Sequence, residues 1–149
     1  MKVRCNRLDL ANAFQIAASV VPARSPKPIL KNVKFLAREQ GCQVFATDSE
    51  ISVRSDVPHC ETQVPGELLL SVDRFGPILR ESTDEILLLE SDGTQVVIAG
   101  LRSEFKLPAA NPDEYPGSVE FTDDSYYRLP ARLLSEVIRR TVFATDNES

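Results

Sequence analysis

The sequence predicts an α+β fold of antiparallel strands with few helices, and three observations support this. Short runs rich in branched and aromatic residues alternate with turn signals through the middle of the chain. Helical apolar spacing is confined to a stretch near residues 7–21, a second beginning near Ser71 and a third beyond residue 130. At least one pair of strand runs, Glu85–Glu90 and Thr94–Ala99, is joined by a tight turn at Ser91-Asp92-Gly93.

Taken in order, Asn6-Arg7-Leu8-Asp9 resembles a capping box and precedes Leu10, Ala13, Phe14, Ala17 and Val21, which lie on one stripe of a helix over residues 7–21. Pro22, Pro26 and Pro28 each restrict their own backbone and that of the preceding residue, so Pro22–Pro28 is expected to be a stiff, extended loop. Strands follow at Asn32–Leu36, Gln43–Thr47, Ile51–Val57 and Glu67–Leu70. The second helix runs from Ser71 through Arg74, Phe75, Ile78 and Leu79, with Gly76-Pro77 expected to bend or interrupt it. Strands return at Glu85–Glu90, Thr94–Ala99 and Arg102–Leu107.

Residues Ala109–Ser125 hold Pro112, Pro116, Gly117 and a knot of acids, the composition of a linker. Shifting the sequence by 124 positions sets Val3-Arg4 over Tyr127-Arg128, Leu10 over Leu134, Ala13 over Val137, Phe14 over Ile138 and Ala17 over Thr141. A strand-then-helix unit restarts there, with Pro130 in the first turn. The expected organisation is a first domain at 1–122 and the beginning of a second at 123–149. The helix of that second unit has no following strand to cover its stripe, which points to a longer natural protein of repeated domains.

The net charge of −5 conceals an asymmetry. Residues 1–38 carry Lys2, Arg4, Arg7, Arg24, Lys27, Lys31, Lys34 and Arg38 against Asp9 alone, a local charge of +7 that leaves −12 for the rest. Such a distribution suits a basic surface facing phosphates on a body acidic enough to avoid other contacts; the alternative is a solvated charged face. Cys5, Cys42 and Cys60 lack metal-ligand or redox spacing and are expected to be reduced, structural thiols. No apolar run approaches the ~20 residues of a membrane span, and Met1-Lys2-Val3-Arg4 does not begin a signal-peptide core, so a cytoplasmic protein without membrane contact is expected.

Catalytic groups are scarce. His59 and Cys60 are adjacent in Val57-Pro58-His59-Cys60, and on an extended segment they would face opposite ways. The carboxylate pairs Asp84-Glu85 and Asp123-Asp124 fall in turns, where solvated acids are usual. No phosphate-binding glycine loop or H-E-x-x-H motif is present, so neither an enzyme nor a cofactor or metal site is expected. The outward face of the first helix carries Asn12, Gln15 and Ser19, and the matching face of the third carries Arg132 and Arg139 with Arg140 at its edge and Glu136 as its acid. Neutral and basic groups there suit loose contact with a phosphate backbone.

Several short motifs in order resemble the bacterial DNA polymerase III sliding clamp, the beta subunit. They are Arg24-x-x-x-Pro28-Ile29-Leu30-x-Asn32, Ala46-Thr47-Asp48 with Glu50-Ile51, Leu70-Ser71-Val72-Asp73-Arg74-Phe75 leading to Ile78-Leu79-Arg80, Phe105-x-Leu107-Pro108, Pro112-Asp113-Glu114-Tyr115-Pro116 and Leu129-Pro130. The likeness spans essentially the whole chain. It implies a DNA-clamp-like domain with antiparallel sheets on the outside and two helices on the inner face. Two protomers of three such domains would form a ring around double-stranded DNA. Partners implied by the resemblance are the replicative DNA polymerase, the clamp loader and a second copy in a homodimer, with polymerase chemistry residing in another subunit.

By the same resemblance Arg24 matches a loop arginine that reaches the DNA backbone, while Arg80, Arg132, Arg139 and Arg140 are candidates for the pore from helix face and charge. Arg74, Ile78, Phe105 and Leu107 match the surface that meets the partner protomer. Glu104 departs from a position that is often basic in the family, and Gly76-Pro77 departs from a smooth helix. The family's peptide pocket lies outside this chain, so no peptide-binding residue is assigned. The rival reading is a non-enzymatic α+β protein-interaction module without DNA binding. A single-strand binder would favour aromatic stacking platforms, and the chain has no Trp, with Phe14, Phe35, Phe45 and Phe105 mostly at core-like positions.

Overall fold

The computed structural model describes residues 1–117, 122 and 124–145. It divides into two compact units, Met1–Ser118 and Val119–Ser149. In the first unit β1 (Lys2–Asn6) leads directly into α1 (Arg7–Ala18), and a proline-rich loop and a 3-10 turn (Pro28–Lys31) follow. Then come β2 (Asn32–Arg38), β3 (Gly41–Thr47), β4 (Ser52–Val57), β5 (Cys60–Val64), β6 (Gly66–Ser71) and α2 (Val72–Glu81). The unit continues with β7 (Ile86–Ser91), β8 (Gln95–Ala99) and β9 (Glu104–Pro108), and a 3-10 turn lies at Pro112–Glu114. The second unit holds α3 (Ala131–Thr141) and a 3-10 turn at Val142–Ala144.

Two antiparallel sheets result, ordered β5-β1-β7-β8-β9 and β4-β3-β2-β6. Period-two alternation decides which side chains enter the core. Val3 and Cys5, Leu87 and Leu89, and Val96 and Ile98 point inward from the first sheet, and Val33 and Phe35, Val44 and Ala46, and Leu68 and Leu70 from the second. The predicted stripe of α1 is buried at Leu10, Ala13, Phe14 and Ala17, and α2 contributes Phe75, Ile78 and Leu79. Phe14 meets Phe75 edge-on, with ring centroids 5.1 Å apart. Burial of each of these large side chains contributes about 1.5–3 kcal/mol, so the two helices are held mainly by this shared core.

Several local expectations are corrected. Asn6 does cap α1, its Oδ1 accepting from the N–H groups of Leu8 and Asp9, but the Asn6 N–H goes to the His59 carbonyl, so Asp9 does not close a reciprocal box. α1 stops at Ala18, where the Ser19 hydroxyl bonds the Ile16 carbonyl ahead of Pro22. Pro77 does not interrupt α2. It is the sixth residue of the helix, so its missing N–H loses a single bond, to the Asp73 carbonyl in the first turn, and buried Phe75, Ile78 and Leu79 hold the segment in place.

β5 was not expected. The segment around His59, expected to be extended, instead turns there, and a φ of 51° folds the chain back between β4 and β5. Cys5 and Cys60, opposite one another on β1 and β5, form a disulfide, so only Cys42 of the three cysteines is a buried thiol. Spacing in sequence could not show this pairing, because it depends on two strands meeting 55 residues apart.

The early part of the expected linker belongs to the first unit. Tyr115 is 4% exposed in a second small core with Leu30, Phe45 and Leu69, on the face of the four-stranded sheet away from the main core. In the second unit, no strand precedes α3 among the described residues, and Pro130 is the N-cap rather than a first-turn residue.

Candidate nucleic-acid and subunit interfaces

The eight N-terminal bases are sorted by the fold. Lys2 pairs with Glu90 at 3.2 Å, Arg4 with Glu61 at 4.0 Å, Lys34 with Glu67 at 2.6 Å and Arg38 with Glu67 at 3.7 Å. Each of those acids comes from a strand laid alongside, so much of the local +7 is neutralised by tertiary structure. Arg7 donates to the carbonyls of Leu79 (3.0 Å) and Asp84 (2.9 Å), placing its cation at the C-terminal end of α2 and joining the two helices.

Arg24, Lys27 and Lys31 remain. All three are exposed and, among the described residues, none has an ion pair. Their loop is pinned from below by Leu30, 2% exposed, by Asn32 Nδ2 on the Ile29 carbonyl at 2.9 Å and by Ser25 Oγ accepting from the Lys27 N–H at 3.1 Å. The proline-rich segment thus presents three cations on a fixed base. Arg24 was legible from sequence; Lys27 and Lys31 were not separated from their paired neighbours. The signal available was their position on a loop that no acid-bearing strand flanks.

On α2, Arg74 and Arg80 are exposed, with Asp73 and Glu81 exposed beside them. The exposed face of α1 holds Asn12, Gln15 and Ser19 as expected, together with Leu8 (58% exposed) and Ile16 (53%), so it is partly apolar. On α3, Arg132, Glu136, Arg139 and Arg140 line one side, where Arg140 bonds Glu136 at 2.6 Å. The other side exposes Leu133, Leu134, Val137 and Ile138, each by roughly half.

β9 is an edge strand. Phe105 lies opposite Ile98 and Leu107 opposite Val96, and both opposite residues are fully buried. Residues directly across an antiparallel pair share a face, so Phe105 and Leu107 extend the core face past the end of the sheet. Phe105 is nevertheless 37% exposed and Leu107 only half-buried. An edge strand bearing uncovered apolar groups invites strand pairing. Glu104 is paired with Lys106 at 3.2 Å on the same strand. Ile78, by contrast, is 9% exposed and packs in the main core, so it supports this region from within and offers little surface.

The family model described as the DNA polymerase III beta subunit, N-terminal domain, matches residues 1–120. The chain belongs to that family. It is 30% identical over 139 residues to the beta sliding clamp of Halalkalibacterium halodurans, a match covering 88% of this chain and 37% of that protein. It is 28% identical over 152 residues to the beta sliding clamp of Bacillus subtilis, covering 97% of this chain and 40% of that one. The crystal structure of the Bacillus subtilis DNA polymerase sliding clamp superposes with a TM-score of 0.94 at 26% identity over 100% of this chain and 41% of that one. For Caulobacter crescentus pol III beta the TM-score is 0.88 at 28% identity, covering 100% of this chain and 40% of that one. The chain therefore spans about two-fifths of the length of these relatives.

The motifs that carry the resemblance to sliding clamps serve turns and packing in this domain. Asp48 Oδ1 accepts from the N–H groups of Ile51 (2.7 Å) and Glu50 (2.8 Å), and these bonds, that to Ile51 first, hold its carboxyl below the usual range. The Thr47 hydroxyl donates to the Ile51 carbonyl at 2.8 Å and accepts from the N–H of Ser49, whose φ is 88°. Asp84 is likewise no solvated turn acid. Its carboxylate accepts from the Leu101 N–H (3.1 Å) and the Ser103 hydroxyl (2.8 Å), and so fixes the β8–β9 hairpin. His59 faces Asp9, with Nδ1 2.7 Å from Oδ2. Among the described residues, no group of three or more His, Cys, Asp or Glu is placed to hold a metal ion. No helix there is long and apolar enough to cross a membrane.

Proposed function

We propose that this chain is the first domain, and the opening of the second, of a non-catalytic sliding clamp that encircles duplex DNA and tethers the replicative polymerase to it. The observation that carries this reading is the sorting of charge within a sliding-clamp domain. Strand acids or backbone carbonyls hold the other bases of the first 38 residues, leaving Arg24, Lys27 and Lys31 free on a pinned loop. A ring that slides needs weak, sequence-independent phosphate contacts, because topology supplies retention. Arg24 is the principal DNA contact, with Lys27 and Lys31 beside it. Arg80 and the α3 face of Arg132, Arg139 and Arg140 add positive potential toward the pore. The domains divide at 1–122 and 123–149.

The same proposal gives the β9 edge, with Phe105, Leu107 and Arg74, to the contact between protomers of a homodimeric ring, and makes a clamp loader the partner that opens it. Glu104, tied to Lys106, leaves the charge pairing across that contact different from a basic-residue version. Such a ring works in the cytoplasm.

Retention of the complete protein on nicked circular DNA after assisted loading, repeated on the linearised circle, tests this reading. Survival on circles and loss from linear DNA is the expected result; equal behaviour on both returns the reading to an interaction module that does not encircle DNA. Replacing Arg24, Lys27 and Lys31 by Ala should lower the slope of log affinity against log salt by up to about 3, roughly one unit for each phosphate no longer neutralised. An unchanged slope would remove the loop from the DNA-binding surface.

A further inference from the structure

We infer that Cys60 is a site of thiol–disulfide exchange with a small hydrophilic thiol, and that opening the Cys5–Cys60 bond loosens the β5 edge of the five-stranded sheet. The bond lies where three connections meet. Cys5 and Cys60 are register partners on β1 and β5. The next residue, Asn6, caps α1 and donates its N–H to the His59 carbonyl at 3.1 Å. His59 in turn faces Asp9 in the first turn of α1, 2.7 Å away. Within its sheet β5 pairs with β1 alone, so when the bond opens that ladder and the Cys42–Thr62 contact are left to hold this edge.

The two residues differ in exposure. Cys5 has no exposed surface, whereas Cys60 is half-buried and lines an open cleft of about 510 Å3 whose walls include Arg38, Gln43, Asp56 and His59. Leu36, Val57 and Pro58 give the cleft apolar wall as well, and its polar part, where Gln43 Nε2 donates to Asp56 at 2.7 Å, suits the polar groups of a small hydrophilic thiol. Cys60, the more exposed residue of the pair, is therefore the one we assign to attack by an incoming thiolate RS⁻. An R–S–S–Cys60 bond forms as the Cys5–Cys60 bond breaks, and Cys5 leaves as a thiolate that takes a proton from water. A second thiolate then attacks the mixed disulfide, giving R–S–S–R and the Cys60 thiolate. The small disulfide R–S–S–R reverses both steps when it is in excess. Cys42 borders the same cleft but is no competitor: it is 3% exposed, its sulfur lies 3.4 Å from the Thr62 hydroxyl, and burial pushes its thiol up.

Glutathione is the probe. The full chain is equilibrated with the oxidised form, then exposed briefly to excess reduced glutathione, quenched in acid and mapped by peptide mass. The expected adduct is on Cys60; an adduct on Cys5, or none at all, overturns the site. Alkylation after denaturation should find one free thiol in the oxidised protein and three after complete reduction. Three free thiols in oxidised glutathione would show that the bond does not form.

Reduction should lower Tm by about 12–20 °C, as closure of a loop of this length predicts, and speed amide exchange in residues 61–64. Cys60→Ser should start at the lower Tm and ignore reductant. Should that variant fail to fold, the wild type with and without reductant still decides. An unchanged Tm and unchanged exchange on complete reduction would overturn the loosening of β5.

Discussion

Tyr115 ties a segment with a linker's composition to the back of the four-stranded sheet, and removing its hydroxyl tests how firmly. The side chain is 4% exposed, its ring meets Phe45 edge-on at 6.0 Å, and its hydroxyl donates to the Asn32 carbonyl at 2.8 Å and accepts from the Thr47 N–H at 3.4 Å. Tyr115→Phe leaves the ring in place but strands the buried Thr47 N–H and removes a donor from the part-buried Asn32 carbonyl, which costs about 1–3 kcal/mol. At about 3–5 °C per kcal/mol for a unit of this size, the expected loss in Tm is roughly 3–15 °C. Tyr115→Ala also removes the ring, for a total of about 4–8 kcal/mol, close to the whole stability of a marginal domain. Thermal unfolding followed by circular dichroism measures both. Burial holds the Tyr115 phenol above its ordinary value, against a smaller opposing effect of the Thr47 N–H. Because the folded-state value is the higher one, this contribution is complete below about pH 10 and is lost as pH rises through it. Tyr115→Phe should therefore remove part of the alkaline destabilisation. If Tyr115→Phe matches the wild type at neutral pH, or Tyr115→Ala costs no more than Tyr115→Phe, the reasoning about this anchor is wrong.

Two further substitutions test turn chemistry. The Asp92 carboxylate accepts from the Thr94 N–H and hydroxyl, both at 2.8 Å, and from the Gln95 N–H at 3.0 Å, and these bonds, Thr94 first, bring its pKa down to about 2. The folded value lies below the unfolded one, so its contribution is present above about pH 4 and lost as pH falls toward about 2. The Tm gap between wild type and Asp92→Asn should close over that window; a constant gap would mean that the turn does not depend on the charge. In the β8–β9 hairpin, a Cβ on Gly100 would overlap the Asp84 carboxylate. Gly100→Ala should cost about 1–3 kcal/mol by displacing that carboxylate from Leu101 and Ser103. Urea unfolding of Gly100→Ala, Asp84→Ala and the double variant should show costs that fall short of additive, and simple additivity would separate the two residues.

The sequence by itself determined the fold class, the family resemblance, the stripe of α1 and most strands, because these depend on side-chain period and on turn residues close to one another. Val33, Phe35, Val44, Ala46, Leu68 and Leu70 alternate as a half-buried sheet must. It also placed Arg24 on an exposed loop, since three prolines hold that loop extended whatever surrounds it. Tertiary structure alone decided which charges stay free. Lys34 and Arg38 are as basic as Lys27 and Lys31, but strand pairing brings Glu67 to the first two and no acid to the second two. It likewise decided that Pro77 is tolerated within α2, that Cys5 meets Cys60, that Tyr115 anchors the expected linker and that Ile78 turns inward while Phe105 remains at an open edge. Each of these depends on contacts between residues far apart in the chain, and local spacing carries no record of a neighbour that only folding brings near.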